Sequence, residues 1–206
     1  MSNFTYEKEE RKEKLETWEW DSLWLEHPSD KETKRVLYIG DSISCGTRRI
    51  ATAQTDSKIY FDGFGTSKGI DNSYFKDTLS LVGKQENRRD IVIFNNGLHG
   101  WHLSDDGEYG YYFDDMVNFL INEFPDTKVC IVLTTYVKDD ERNQRVIKRN
   151  KTASAIAEKY SLPVIDLYSV SSQAPELLTE DGVHFSEEGY IAIAKKIIED
   201  ITPLFK

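Results

Sequence analysis

The sequence predicts an α/β domain, a three-layer α/β/α sandwich whose mainly parallel, five-stranded sheet lies between two layers of helices. Three observations predict it. Short apolar runs alternate along the chain with stretches of helical periodicity, the pattern of parallel strands joined by crossover helices. The first run, Val36-Leu37-Tyr38-Ile39, shows no polar alternation, so both faces of that strand are expected to be covered. It stops abruptly in Gly40-Asp41-Ser42, small and polar residues at the carboxyl edge, where open α/β sheets keep their chemistry. With 206 residues, 39% hydrophobic and 12% aromatic, the chain is long enough to bury one full core. No repeat, low-complexity tract or Gly/Ser/Pro linker divides it.

In chain order, residues 6–19 are rich in Glu and Lys and suit a helix, with Trp18, Trp20 and Trp24 following. Residues 1–33 therefore read as a helical and aromatic extension docking on a main domain of residues 34–206, a partner-binding arm being the alternative. After the first strand come strand candidates at Lys58–Asp62, Ile91–Asn95, Val129–Thr134 and Pro163–Leu167. Between them lie helical patterns at Ser73–Leu81, Tyr111–Phe124 and Asn143–Tyr160. In the second, Phe113, Val117, Leu120, Ile121 and Phe124 recur at the spacing of one buried helix face, and Pro125 stops it. The last helix, Ser186–Asp200, opens with a hydroxyl cap and two acids in its first turn, a good amino-terminal signal.

Charge and cysteine usage exclude several classes. With 26 basic and 36 acidic residues the formal charge is −10, which repels a phosphate backbone and disfavours nucleic acid. The basic pairs Arg48-Arg49 and Lys148-Arg149 are too short and too separated to form a stripe. Cys45 and Cys130 make no disulfide framework; set in or beside apolar runs, they read as buried reduced thiols. Residues 1–11 carry no apolar leader segment and no run reaches membrane-spanning length, so the expected location is cytoplasmic, away from any membrane. On that reading the glycosylation sequons at Asn3 and Asn150 carry no weight.

The exits of parallel strands share one edge, so groups distant in sequence converge there. Ser42 follows the first strand; Asp181-Gly182-Val183-His184 follows the fifth through a short polar loop. A serine hydroxyl is a poor nucleophile at neutral pH unless a neighbour takes its proton, and an imidazole oriented by a carboxylate is suited to take it. Either motif alone also fits an ordinary turn or helix start. In this order and at these positions, Gly-Asp-Ser near the amino terminus and Asp-x-x-His near the carboxyl terminus resemble the SGNH/GDSL hydrolase family, over about Val36 to Ile198.

That resemblance implies a flavodoxin-like three-layer fold and esterase chemistry without a cofactor. Ser42 would be the nucleophile, His184 the general base and Asp181 the group that orients it. It also implies an oxyanion hole built from the N–H of Ser42, a glycine after the second strand and an asparagine after the third. Such donors are typically worth ~3 kcal/mol each where negative charge develops. The usual third block is Gly-x-Asn-Asp, whereas here Phe94-Asn95-Asn96-Gly97-Leu98-His99-Gly100 looks like a divergent branch. Asn95 is the expected donor, with Asn96 as alternative; alternation along a strand lets only one of the two side chains reach. Gly65 is preferred to Gly63 because Thr66 and Ser67 follow it.

His99, Trp101 and His102 are expected to line the substrate pocket, an aromatic face suiting a sugar ring, with surface packing the alternative for Trp101. A zinc reading of His99 and His102 lacks the usual helical motif, so no metal is expected. Arg48 and Arg49 read as a solvated pair, with contact to a substrate carboxylate as the alternative. The Gly40–Gly46 turn lacks the Lys-Ser/Thr pair of a phosphate loop. The expected function is hydrolysis of small carboxylic esters, O-acetyl groups on carbohydrate foremost. Lipase, thioesterase or acyltransferase activity would be variants within the family, and a non-catalytic α/β module binding carbohydrate or a small molecule is the alternative class.

Overall fold

The structure, a computed structural model, describes residues 15, 16, 18–85, 88–104 and 107–205. Its core is β2 (Lys34–Gly40), β3 (Ile59–Thr66), β4 (Ile91–Phe94), β5 (Lys128–Leu133) and β6 (Val164–Asp166), all paired in parallel. A further strand, β1 (Asp21–Trp24), pairs antiparallel with β3 and extends the order to β1-β3-β2-β4-β5-β6. The sheet thus has six strands where five are expected. β1 escapes the sequence reading because it is short and borders solvent, with a pattern that is neither a buried run nor a clean alternation.

β1 also shifts the role of residues 1–33. Asp21 to Trp24 belong to the main sheet, so the expected boundary at residue 33 passes inside it. Of the helix expected over 6–19, residues 6–14 and 17 lie outside the described residues, and 15, 16, 18 and 19 are in no regular element.

The helices are α1 (Ser42–Gln54), α2 (Ser73–Gly83), α3 (Glu108–Glu123), α4 (Asp140–Lys159), α5 (Leu167–Ser172) and α6 (Glu187–Ile201). Each long helix but α3 begins where a polar side chain caps it: Asp41 bonds the Ile43 N–H, Asn72 that of Tyr74, Asp139 that of Arg142 and Ser186 that of Gly189. α3 is the exception, with Gly107 at its cap and no side-chain bond there. β2 feeds both layers. Val36 and Tyr38 pack with Ala51 of α1 and Ile193 and Ile197 of α6, while Leu37 and Ile39 pack with Phe75 of α2 and Phe113 and Leu120 of α3. All four β2 side chains are at most 2% exposed, each worth about 2 kcal/mol by burial.

The parallel part of the sheet has the doubly wound strand order in which the chain leaves β2 toward β3 on one side and returns as β4 on the other. A crevice forms at that switch point, outside the carboxyl end of β2. Ser42 stands there. Among the described residues, no helix is long and apolar enough to cross a membrane.

Candidate active site

Ser42 is the first residue of α1, immediately after the cap Asp41. It is therefore held at the positive end of a helix, where a developing negative charge is favoured. The helix start can settle onto the sheet edge because Gly65 of β3 lies beneath it. A Cβ at Gly65 would sit 2.3 Å from Cys45 Sγ and 3.2 Å from the Asp41 carbonyl oxygen. Any larger residue there would lift the turn that presents the hydroxyl.

The partner loop, residues 178–186, is closed at its base by a bridge between Leu178 and Phe185. Inside it, Asp181 Oδ1 accepts hydrogen bonds at 2.9 Å from the Thr179 hydroxyl and from the N–H groups of Val183 and His184. Its other oxygen, Oδ2, lies 2.6 Å from His184 Nδ1. Burial works against the Asp181 charge, yet these bonds, led by the His184 ring, hold its carboxyl well below the usual range. A carboxylate only accepts, so Nδ1 carries the ring proton. That leaves the Nε2 lone pair toward Ser42 Oγ, 2.9 Å away. The loop's place is fixed by β5's exit: the Lys138 N–H donates to the Gly182 carbonyl at 2.8 Å. Gly182 has φ +72° and would put a Cβ 2.8 Å from Lys138 Cβ, so glycine is needed there on both counts.

The other expected site residues fall less neatly. β3 runs on to Thr66 instead of ending at Asp62, because β1 pairs with its second half. Gly65 is consequently a strand residue in register with Gly40 on one side and Ser22 on the other, not a loop glycine past the strand exit. Asn95 directs its amide nitrogen to the Val132 carbonyl at 2.8 Å and to Thr134 Oγ1 at 2.9 Å, which occupies both amide hydrogens. The amide of Asn96 donates to the Lys68 carbonyl at 2.9 Å.

His99 is expected to line the pocket but is only 2% exposed; it faces inward, with Nδ1 against Glu16 Oε1 at 2.6 Å. His102 pairs separately, with Asp71 at 3.0 Å. Among the described residues no three His, Cys, Asp or Glu side chains gather as a metal would require. Trp101 is partly buried, with the guanidinium groups of Arg149, Arg145 and Arg142 at 5.0, 5.3 and 5.9 Å from its ring centre, so a sugar would compete with arginines for that face. Arg48 is not solvated: it is buried, donating to the Ser22 carbonyl and hydroxyl of β1, while Arg49 stays exposed beside Trp24.

Residues 116–197 match the model of the GDSL-like lipase/acylhydrolase family, a stretch that includes Asp181 and His184 but not Ser42. That match covers less than half of the chain, and the likeness to solved structures shows a shared fold. Among solved structures it is similar to a lipase/acylhydrolase from Enterococcus faecalis, with 22% identity and TM-score 0.62 over 84% of this chain and 98% of the other. It is also similar to an acetyl xylan esterase, with 18% identity and TM-score 0.63 over 80% and 98%. A third is the catalytic domain of a Streptococcus pneumoniae peptidoglycan O-acetyltransferase, with 15% identity and TM-score 0.63 over 83% and 94%. A search of curated proteins finds no match. The family match supports an esterase, and the likeness to solved structures is one of fold.

Several residues that shape this candidate site are absent from the sequence reading of it. Asn150, part of a glycosylation sequon, is buried in α4, where it accepts from the Thr134 N–H at 2.7 Å and donates to the Thr134 carbonyl at 2.9 Å. Arg149 beside it is fully buried and donates to the carbonyls of Gly97, His99 and Gly100, holding the β4 exit loop. Glu16 arrives from the amino-terminal segment. Only Arg149 had a usable signal, a cation on the otherwise buried side of an amphipathic helix.

Proposed function

We propose that the chain is a serine esterase that hydrolyses small carboxylic esters, with O-acetyl groups on carbohydrate as the preferred class. The observation that supports this most is the line of contacts from Asp181 through His184 to Ser42, at 2.6 and 2.9 Å. Ser42 Oγ attacks the acyl carbonyl carbon as His184 Nε2 takes its proton. The resulting oxyanion lies against the N–H at the start of α1, and Asn95 joins it by exchanging its bond to Thr134 for one to substrate. The imidazolium, stabilised by Asp181, then protonates the leaving alkoxide. Water enters, gives its proton to His184 and attacks the acyl-enzyme, releasing the acid and restoring Ser42. The acetyl and sugar preference draws on the acetyl xylan esterase among the similar structures.

Two measurements test the reading. A fluorophosphonate probe should label the wild type at Ser42 and fail to label Ser42→Ala. Acetate release from a panel of acetylated sugars should follow the same pattern. A wild type that neither labels nor turns over p-nitrophenyl acetate would leave a binding module as the better account, and full turnover by Ser42→Ala would refute the mechanism. The O-acetyltransferase among the similar structures gives acyl transfer as the second reading. Acetylated acceptor formed faster than free acetate would favour it.

A further inference from the structure

Two buried polar atoms near the nucleophile lack hydrogen-bond partners among the described residues, and they are complementary. Asp41 precedes Ser42 and is 2% exposed. Its Oδ1 caps α1 through the Ile43 N–H, but its Oδ2 is unmatched. The His99 ring, 3% exposed, has Nδ1 on Glu16 and Nε2 unmatched. Leaving either atom bare in the interior is unfavourable, and an acceptor beside a donor relieves both.

The charges agree with that pairing. Burial pushes His99 down, yet the hydrogen bond and charge of Glu16, with the charges of Asp41 and Glu19, bring it above the ordinary imidazole value. Burial raises the Asp41 carboxyl, and the first influence opposing this is His99. The charged and titratable groups around the pair are Glu16 and Glu19 from the amino-terminal segment, Tyr38 of β2, Asp41 and Cys45 at the start of α1, His184 on the Asp41 side and Arg149, which donates to the His99 carbonyl at 2.7 Å. Glu16 is brought there by the segment's attachment to β3's exit. The Trp20 N–H donates to Ser67 Oγ at 2.8 Å, and the Trp20 carbonyl accepts from the Ser67 N–H at 3.1 Å.

We infer that His99 is a positioning residue for the nucleophile. With Nδ1 held by Glu16, it directs Nε2–H toward Asp41 Oδ2 across one water, and so fixes the turn that presents Ser42. The amino-terminal segment is then part of the catalytic apparatus and not only a docked arm. The inference rests on the esterase reading and extends it to a residue pair outside the Ser-His-Asp line.

The test compares pH profiles of kcat and kcat/KM for wild type, Glu16→Gln and His99→Gln, with p-nitrophenyl acetate as substrate and melting temperature as the folding control. Glu16→Gln removes the Glu16 charge, which raises His99, and leaves the smaller influences of Asp41 and Glu19. The alkaline limb of its profile should move toward acid, with kcat on the alkaline side down roughly ten- to hundredfold and KM unchanged. His99→Gln keeps an N–H donor without the titration, so it should retain activity and lose that limb. Variant profiles with the wild-type shape, scaled or not, would overturn the inference. So would an inactive His99→Gln that folds. If Glu16→Gln does not fold, the His99→Gln profile decides alone. Fluorophosphonate labelling of the wild type at Ser42 is independent of these outcomes, which separates failure of this inference from failure of the esterase reading.

Discussion

The two ends of the sheet carry two networks of charge and hydrogen bonds, built to opposite plans. At the amino end Arg35 and Asp62 form an ion pair at 3.0 Å with both side chains 0% exposed. Arg35 also donates to the carbonyls of Glu26, His27 and Asp30, and Asp62 accepts the Glu26 N–H. This network closes on the chain itself and ties the segment leading into β2 to the sheet. At the carboxyl end Asp181 is just as heavily bonded, but the line continues through His184 to a hydroxyl at the crevice, and the Asp181 and His184 side chains are 39% and 22% exposed. A closed network can only hold. A network with one end open to a substrate can hold and react.

That comparison predicts opposite phenotypes. His184→Ala should lower turnover by about 10⁴-fold or more while leaving the melting temperature near wild type. Arg35→Ala should do the reverse. Stranding Asp62 in the interior costs about 3–5 kcal/mol, seen in denaturant titration, while the folded fraction keeps its kcat. An Arg35→Ala protein with wild-type stability, or a His184→Ala protein that melts early, would break the distinction.

Asp181→Asn sharpens it, because this residue holds the loop and, in the proposed mechanism, orients the base. The loss of kcat should be roughly 10²-fold smaller than for His184→Ala. Its folded-state pKa is depressed, so its stabilising contribution is present above the ordinary carboxylate value and disappears as pH falls toward the folded one. The gap in melting temperature between wild type and Asp181→Asn should therefore be full near neutrality and close below about pH 4. A gap that widened in acid would contradict the assignment. The smallest effect is expected from Gly182→Ala. The left-handed backbone costs about 1–2 kcal/mol with a side chain present, and contact with Lys138 shifts the loop. Calorimetry and kcat measured together should show a modest loss of both.

Much of the fold is legible in the sequence because the signals are local. The β2 run, the apolar face of α3 and the hydroxyl cap of α6 depend on neighbours a few positions away, and the elements observed there follow the expected ones closely. α1 is less visible, since its buried positions include Ser44, Thr47, Arg48 and Thr52, which carry no apolar periodicity. β1 is invisible for a related reason: four residues at an edge owe their conformation to β3 and not to their own pattern.

The sequence by itself determined the alternating α/β plan, the −10 charge that disfavours nucleic acid, and the three residue types fit for acyl chemistry. Only the tertiary structure decided that Ser42 and His184 approach to 2.9 Å, that Asn95 is bound to Thr134, and that His99 turns inward to Glu16. The reason is physical. Strand and helix signals are written in short-range periodicity, whereas a polar side chain's partner depends on which unsatisfied group the folded chain places beside it.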